Sequence, residues 1–245
     1  DLTVTAIFAI TPVGNTALAF NGTAQYVTFS AAPSLSGAHF TIELWFKKAA
    51  GGSTTSSGSG GVVAVPLIAK GRAEADGDSR DVNYFLGIDV ARHLVADYEE
   101  GTGQISPGLN HPVTGSAVIA DGVWYHGAAV FDGFSLRLYL NGQPDGATLG
   151  LAGRNPQSAS SQHTTLATTR NSLGALEGFF AGVIDEPRIW SVAHTQCEVI
   201  ASMNLEVTSG TGLAGRWGLN EGSGPTAGNS VAGSPDGTLE NSPSW

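Results

Sequence analysis

The segment FTIELWFKK, residues 40–48, alternates strictly. Phe40, Ile42, Leu44 and Phe46 fall on one side, and Thr41, Glu43, Trp45 and Lys47 on the other. A period of two belongs to a strand with one buried face. A lone strand leaves a row of backbone N–H and C=O groups unsatisfied, so a chain rich in such segments must pair them. This chain is rich in them. LTVTAIFAI, TALAFNGTAQYVTF, VVAVPLIAKG, NYFLGID, HLVADYE, VWYHGAAVFDG and SLRLYLNGQP all read as strands. Turn dipeptides separate several of them: Asp-Gly at 121–122 and 132–133, and Asn-Gly at 141–142. Near-regular spacing of short strands points to an all-β antiparallel sandwich or barrel.

Composition agrees. The 245 residues include 34 glycines, and only 13% are charged. Long amphipathic helices would need more Glu, Lys and Arg. One helix is expected, in HTQCEVIASMN. There Thr195 and Glu198 form a capping box, and Val199, Ile200 and Met203 follow at helical spacing. Cys197 in its first turn has no suggested His partner and reads as inert. Residues 51–61, GGSTTSSGSGG, read as a mobile surface loop inside one domain rather than a boundary.

The net charge of −10 and scattered Lys and Arg argue against nucleic acid and anionic membranes. One cysteine rules out a disulfide framework or a cysteine zinc site. No apolar stretch reaches transmembrane length, and no basic region precedes an apolar one as in a signal peptide. With Asp1 in place of Met, the expectation is a piece excised from a longer chain.

No closely alternating carboxylate motif of the E-x-D-x-x-E kind occurs, no G-x-S-x-G elbow, and the six histidines are isolated. His126 reads as structural. ADYEEG places Asp97 and Glu99 on one strand face, a geometrically possible acid pair, but a solvated strand end is the expectation. Asp76, Asp78 and Asp81 around Gly77 resemble a calcium loop without its terminal bidentate Glu. In GVIDEPRIW, Glu186 and Arg188 share a face and are expected to pair. Pro187 lacks an N–H, so an edge or a bulge is expected there.

In order, ALAFNGTAQYVTF, FTIELWFK, LIAKG, YFLGI, VWYHGAAVFDGFSLRLYLNGQ, GFFAGVIDEPRIWSVAHTQCEVIASMN and GLAGRWGLNEGSGPTAGNSVAGSPDGTL resemble the bacterial laminin G-like jelly-roll family of the concanavalin A-like lectin/glucanase superfamily. The resemblance implies an antiparallel jelly-roll sandwich spanning 1–245, with residues 212–245 packed on it. It implies a binding or adhesion module of an exported bacterial protein, extracellular or at the cell surface, with neighbouring domains and a glycan or surface protein as partner. A ligand-free spacer in a tandem array and a carbohydrate-active enzyme are the alternatives. It also implies a structural calcium ion held by Asp185 and the Gly22 carbonyl, with Asn21 where the family often has Asp. Trp45, Trp124, Trp190 and Trp217 lie in its motifs and are expected to pack in the sheets.

Overall fold

The computed structural model describes residues 16–72, 82–171 and 173–245. The opening segment LTVTAIFAI and the aspartates Asp76, Asp78 and Asp81 lie outside them.

Two antiparallel sheets face each other. In the first the order is Leu18–Asn21, Ala181–Trp190, Phe40–Lys48, Trp124–Phe131, Ser135–Leu140 and Gln143–Pro144. Leu149–Gly150 and Leu213–Arg216 join it off this path. In the second the order is Thr226–Ala227, Gly237–Glu240, Tyr26–Thr28, Thr164–Leu166, Val63–Lys70, Tyr84–Asp89, Leu94–Asp97 and Val113–Thr114, with Thr55–Ser56 paired to Val63–Lys70. Thr168–Arg170 and Leu176–Phe179 form a separate hairpin. This is the jelly-roll sandwich that the resemblance implies.

The core lies between the sheets. Phe40, Ile42, Leu44 and Phe46 are all buried there, as their alternation requires. Fully burying side chains of this size contributes roughly 1.5–3 kcal/mol each. Residues 213–245 contribute to both sheets. Leu213–Arg216 pairs with Ala181–Trp190, and Gly237–Glu240 pairs with Tyr26–Thr28. Between them Trp217 and Leu219 enter the main core, the Trp217 ring lying tilted against Phe29 with centroids 4.0 Å apart.

The Ala181–Trp190 strand contains a bulge. Asp185 stands opposite Trp45 and Arg188 opposite Glu43, so three steps on one strand match two on the other. The extra residue solves a pattern problem. Ile184 and Ile189 are five apart and would face opposite ways on a regular strand, yet both are buried in the core. Pro187 has no N–H to lose from the ladder, and Glu186 takes the left-handed conformation at φ 48°. The Asp185 carboxylate accepts the Glu186 N–H at 2.9 Å.

The single α-helix of the described residues, Gln196–Ser202, lies against the outer face of the first sheet. Val199 packs on Ala128, Val130 and Tyr139. Its capping box is complete. Thr195 Oγ1 accepts the Glu198 N–H at 3.3 Å, and Glu198 Oε2 accepts the Thr195 N–H at 2.7 Å. Replacing Thr195 by Ala is expected to lower stability by about 1 kcal/mol in a urea melt.

Candidate functional site

Three polar regions lie outside the apolar core. The first is on the outer face of the first sheet, and it is closed. Glu43 is fully buried. Its Oε1 accepts the Trp190 indole N–H at 2.9 Å, its Oε2 lies 3.4 Å from His126 Nε2, and Arg188 Nη1 is 3.6 Å away. Burial alone would push the Glu43 carboxyl up, but His126, Arg188 and the indole hold it below the usual range. Arg188 also reaches Glu186 at 3.1 Å, and Arg216 pairs with Glu186 from the neighbouring strand. Arg188 further donates to the Ser202 carbonyl in the last turn of the helix and the Leu205 carbonyl beyond it, and the Trp45 indole donates to Met203 O at 2.7 Å. The expected Glu186–Arg188 pair is present. This network ties strand, helix and C-terminal segment together and leaves no opening to solvent.

The proposed calcium ligands do not converge. Asn21 stands opposite Ala181, whereas Asp185 lies four residues further along that strand, about 13 Å away at the usual rise. The Asn21 side-chain oxygen is already used, accepting the Thr23 and Ala24 N–H groups at 3.0 and 3.3 Å. Among the described residues no three His, Cys, Asp or Glu side chains gather at one point. Asn21, Gly22 and Asp185 therefore do not fit a single calcium ion.

The second region corrects two expectations. ADYEEG is not a solvated strand end: Asp97, Glu99 and Glu100 are at most 2% exposed. Glu100 accepts the Ser106 N–H at 2.5 Å and lies 2.9 Å from His111 Nε2 and 2.8 Å from Arg154 Nη1. Burial would raise its carboxyl, but these partners hold it low. Asp97 accepts from Ser57 Oγ at 2.5 Å, Asn110 Nδ2 at 2.9 Å and the His111 N–H at 2.8 Å. Even so, burial wins and pushes its carboxyl up to about 7.

Nor is the Gly/Ser segment free. Ser53 exchanges both backbone hydrogen bonds with Phe179, and Thr55 Oγ1 donates to Glu177 at 3.1 Å. Ser56 O accepts from Arg72 Nε at 2.5 Å, while Ser57 engages Asp97. The segment is a roof over part of the second sheet's outer face. Between this roof and the sheet, Val62, Ala64, Ala69, Val82, Phe85 and Val95 form a second small core. A Cβ at Gly61 would lie 2.5 Å from the Asp97 carboxylate, so the roof is closed at that point. In this arrangement neither Asp97 nor Glu99 meets solvent where a sugar would need to sit.

The third region is another part of the same face, where Tyr26 and Thr28 are buried and His163, Arg170, Thr238 and Glu240 reach the surface. Register aligns Tyr26 with Glu240, Thr28 with Thr238, and Thr28 with Thr165. Val27 and Leu239 point into the core, so Tyr26, Thr28, Thr238 and Glu240 face outward. His163 Nδ1 lies 2.8 Å from Thr28 Oγ1. Arg170, on the hairpin above, donates to Gly174 O at 2.9 Å and lies beside the Tyr26 phenol. Burial and the Glu240 charge push the phenol up; Arg170 opposes them. Burial, with Arg170 and Lys70, lowers His163, so its ring is neutral near pH 7. The result is a half-open strip of hydroxyl, phenol, imidazole, guanidinium and carboxylate groups.

Sequence reasoning did not single out this strip. Alternation in YVTF implies that Tyr26 and Thr28 share a face, but nothing in TTLATTRNSLG marks Arg170. The tryptophans divide. Trp190 and Trp217 are buried, whereas Trp124 is 38% exposed with Lys47 Nζ 5.2 Å from its ring centre.

Residues 21–200 match a laminin G family of the concanavalin A-like lectin/glucanases superfamily. The chain belongs to this family. Among curated proteins none matches the chain. Solved structures share its fold. A Bacteroides ovatus protein described as a candidate carbohydrate-binding protein superposes with a TM-score of 0.63 at 19% identity, over 96% of this chain and 62% of that one. The chain thus spans under two thirds of that protein's length. The heptameric SAP-like pentraxin of Limulus polyphemus gives 0.54 at 15% identity, over 94% and 97%. The CBM40 of the Ruminococcus gnavus IT-sialidase, solved with α2,3 sialyllactose, gives 0.54 at 17% identity, over 77% and 96%.

Proposed function

We propose that this laminin G-like domain is a non-catalytic glycan-binding module of a larger exported bacterial protein. One observation carries the reading. On the outer face of the second sheet a strip of hydrogen-bonding side chains reaches solvent through Thr238, Glu240, His163 and Arg170, while Tyr26 and Thr28 of the same strip are buried. Sugars are recognised by such sets, a few placed polar groups beside an aromatic ring. The fold's presence in a sialyllactose-bound CBM40 supports the reading. Burial of Asp97 and Glu99 supports binding without hydrolysis.

A glycan array tests this. The wild-type domain is expected to retain a defined set of glycans, and a Tyr26→Phe, Thr238→Ala variant with unchanged melting temperature is expected to lose them. An array without hits favours the ligand-free spacer. Release of reducing sugar from a retained glycan would show an enzyme instead.

A further inference from the structure

Arginines in this molecule are nearly all neutralised. Arg72 pairs with Glu177, Arg92 with Asp121, Arg137 with Asp132, Arg154 with Glu100, and Arg188 and Arg216 with Glu186. Among the described residues Arg170 alone holds no carboxylate. Its Nη1 donates to a neutral carbonyl, Gly174 O, and its buried Nε has no hydrogen-bond partner. A guanidinium is a planar fork of five donors that matches an anionic oxygen pair, and it stays charged at any working pH. The chain carries a net charge of −10, yet this half-buried cation is left without a carboxylate partner.

We propose that Arg170 receives an anionic group of the bound sugar, a carboxylate or a sulfate ester. This rests on the glycan-binding reading and names the substrate class of the same strip. The neighbours set the orientation. Tyr26 stands beside the guanidinium with its phenol protonated, so it can donate to the same anion. Neutral His163 and Thr28 offer hydrogen bonds without charge. Glu240, opposite Tyr26, is the one carboxylate of the strip and repels an anion on that side. The charged end of the sugar therefore lies over Arg170, and its neutral hydroxyls lie towards Glu240 and Thr238.

Calorimetric titration of the whole domain with 3′-sialyllactose, 3′-sulfated lactose and lactose, at one ionic strength, tests this. At least one charged ligand is expected to bind about tenfold or more tighter than lactose, and which one does so tells carboxylate from sulfate. Arg170→Gln is expected to abolish that preference. Glu240→Gln is expected to strengthen it, and this variant reads out the field of the strip even if Arg170→Gln fails to fold. Lactose binding as tightly as both charged sugars would overturn the inference and leave the glycan-binding reading standing. So would a charge preference that survives Arg170→Gln in a folded domain. Binding of none of the three, alongside an empty array, would remove both.

Discussion

Arg188→Ala is expected to destabilise the domain by about 3–5 kcal/mol, the range found when one partner of a buried ion pair is removed. Two carboxylates depend on this side chain: Glu43, fully buried, and Glu186. Without it, Glu43 keeps only the Trp190 indole and His126. The Ser202 and Leu205 carbonyls lose their donor, so the helix should loosen first. Urea melts give the total loss, and hydrogen exchange at 196–203 locates it. Adding Glu43→Gln to the same chain is expected to return part of the loss, since no uncompensated charge then stays buried at that position. A fall below 1 kcal/mol for Arg188→Ala would mean that packing, not charge, holds this face.

Asp97→Asn is expected to change the pH dependence of stability, with the opposite sign from an ordinary carboxylate. Burial pushes the folded Asp97 carboxyl up to about 7, against 3.8 for an exposed aspartate. Between these values the native state binds the extra proton, so stability falls as pH rises. The contribution is fully present below about pH 4 and is lost as pH passes 7. From pH 5 to pH 8 the wild type should lose roughly 2–3 kcal/mol through this group. The Asn variant should lose none of it. Asparagine can still accept the His111 N–H, and Asn110, whose Oδ1 has no partner, can turn its amide to suit. Glu43 works in the other direction. Its lowered carboxyl contributes stability that is present above its unfolded value and lost on acidification. Paired melts of wild type and Asp97→Asn across this range separate the two. Parallel curves would show that Asp97 is ionised throughout.

The strand pattern was legible because it is local. FTIELWFKK carries its own inside and outside, and the capping box at Thr195 needs only four residues. The bulge at Pro187 was legible for the same reason, since a missing N–H is a property of one residue. What stayed hidden depends on partners far along the chain. Gly and Ser at 51–61 read as mobile, yet Phe179, Glu177 and Asp97 hold that segment from 40 to over 120 residues away. Asp97, Glu99 and Glu100 read as solvated for want of any sign that loops from 101–111 and 154–157 cover them. Asn21 and Asp185 were separated by strand register, which neither segment encodes by itself. The candidate strip was the least legible part. Arg170 stands out only because the other described arginines turn out to be paired.

Binding on the polar strip of the second sheet's outer face can be tested directly by amide chemical-shift mapping during a titration with 3′-sialyllactose. Shifts are expected at Tyr26–Thr28, Thr168–Arg170 and Gly237–Glu240, and absent at 94–100 and 196–203. Shifts centred on Asp97 and Glu99, or no shifts at saturating sugar, would contradict the account.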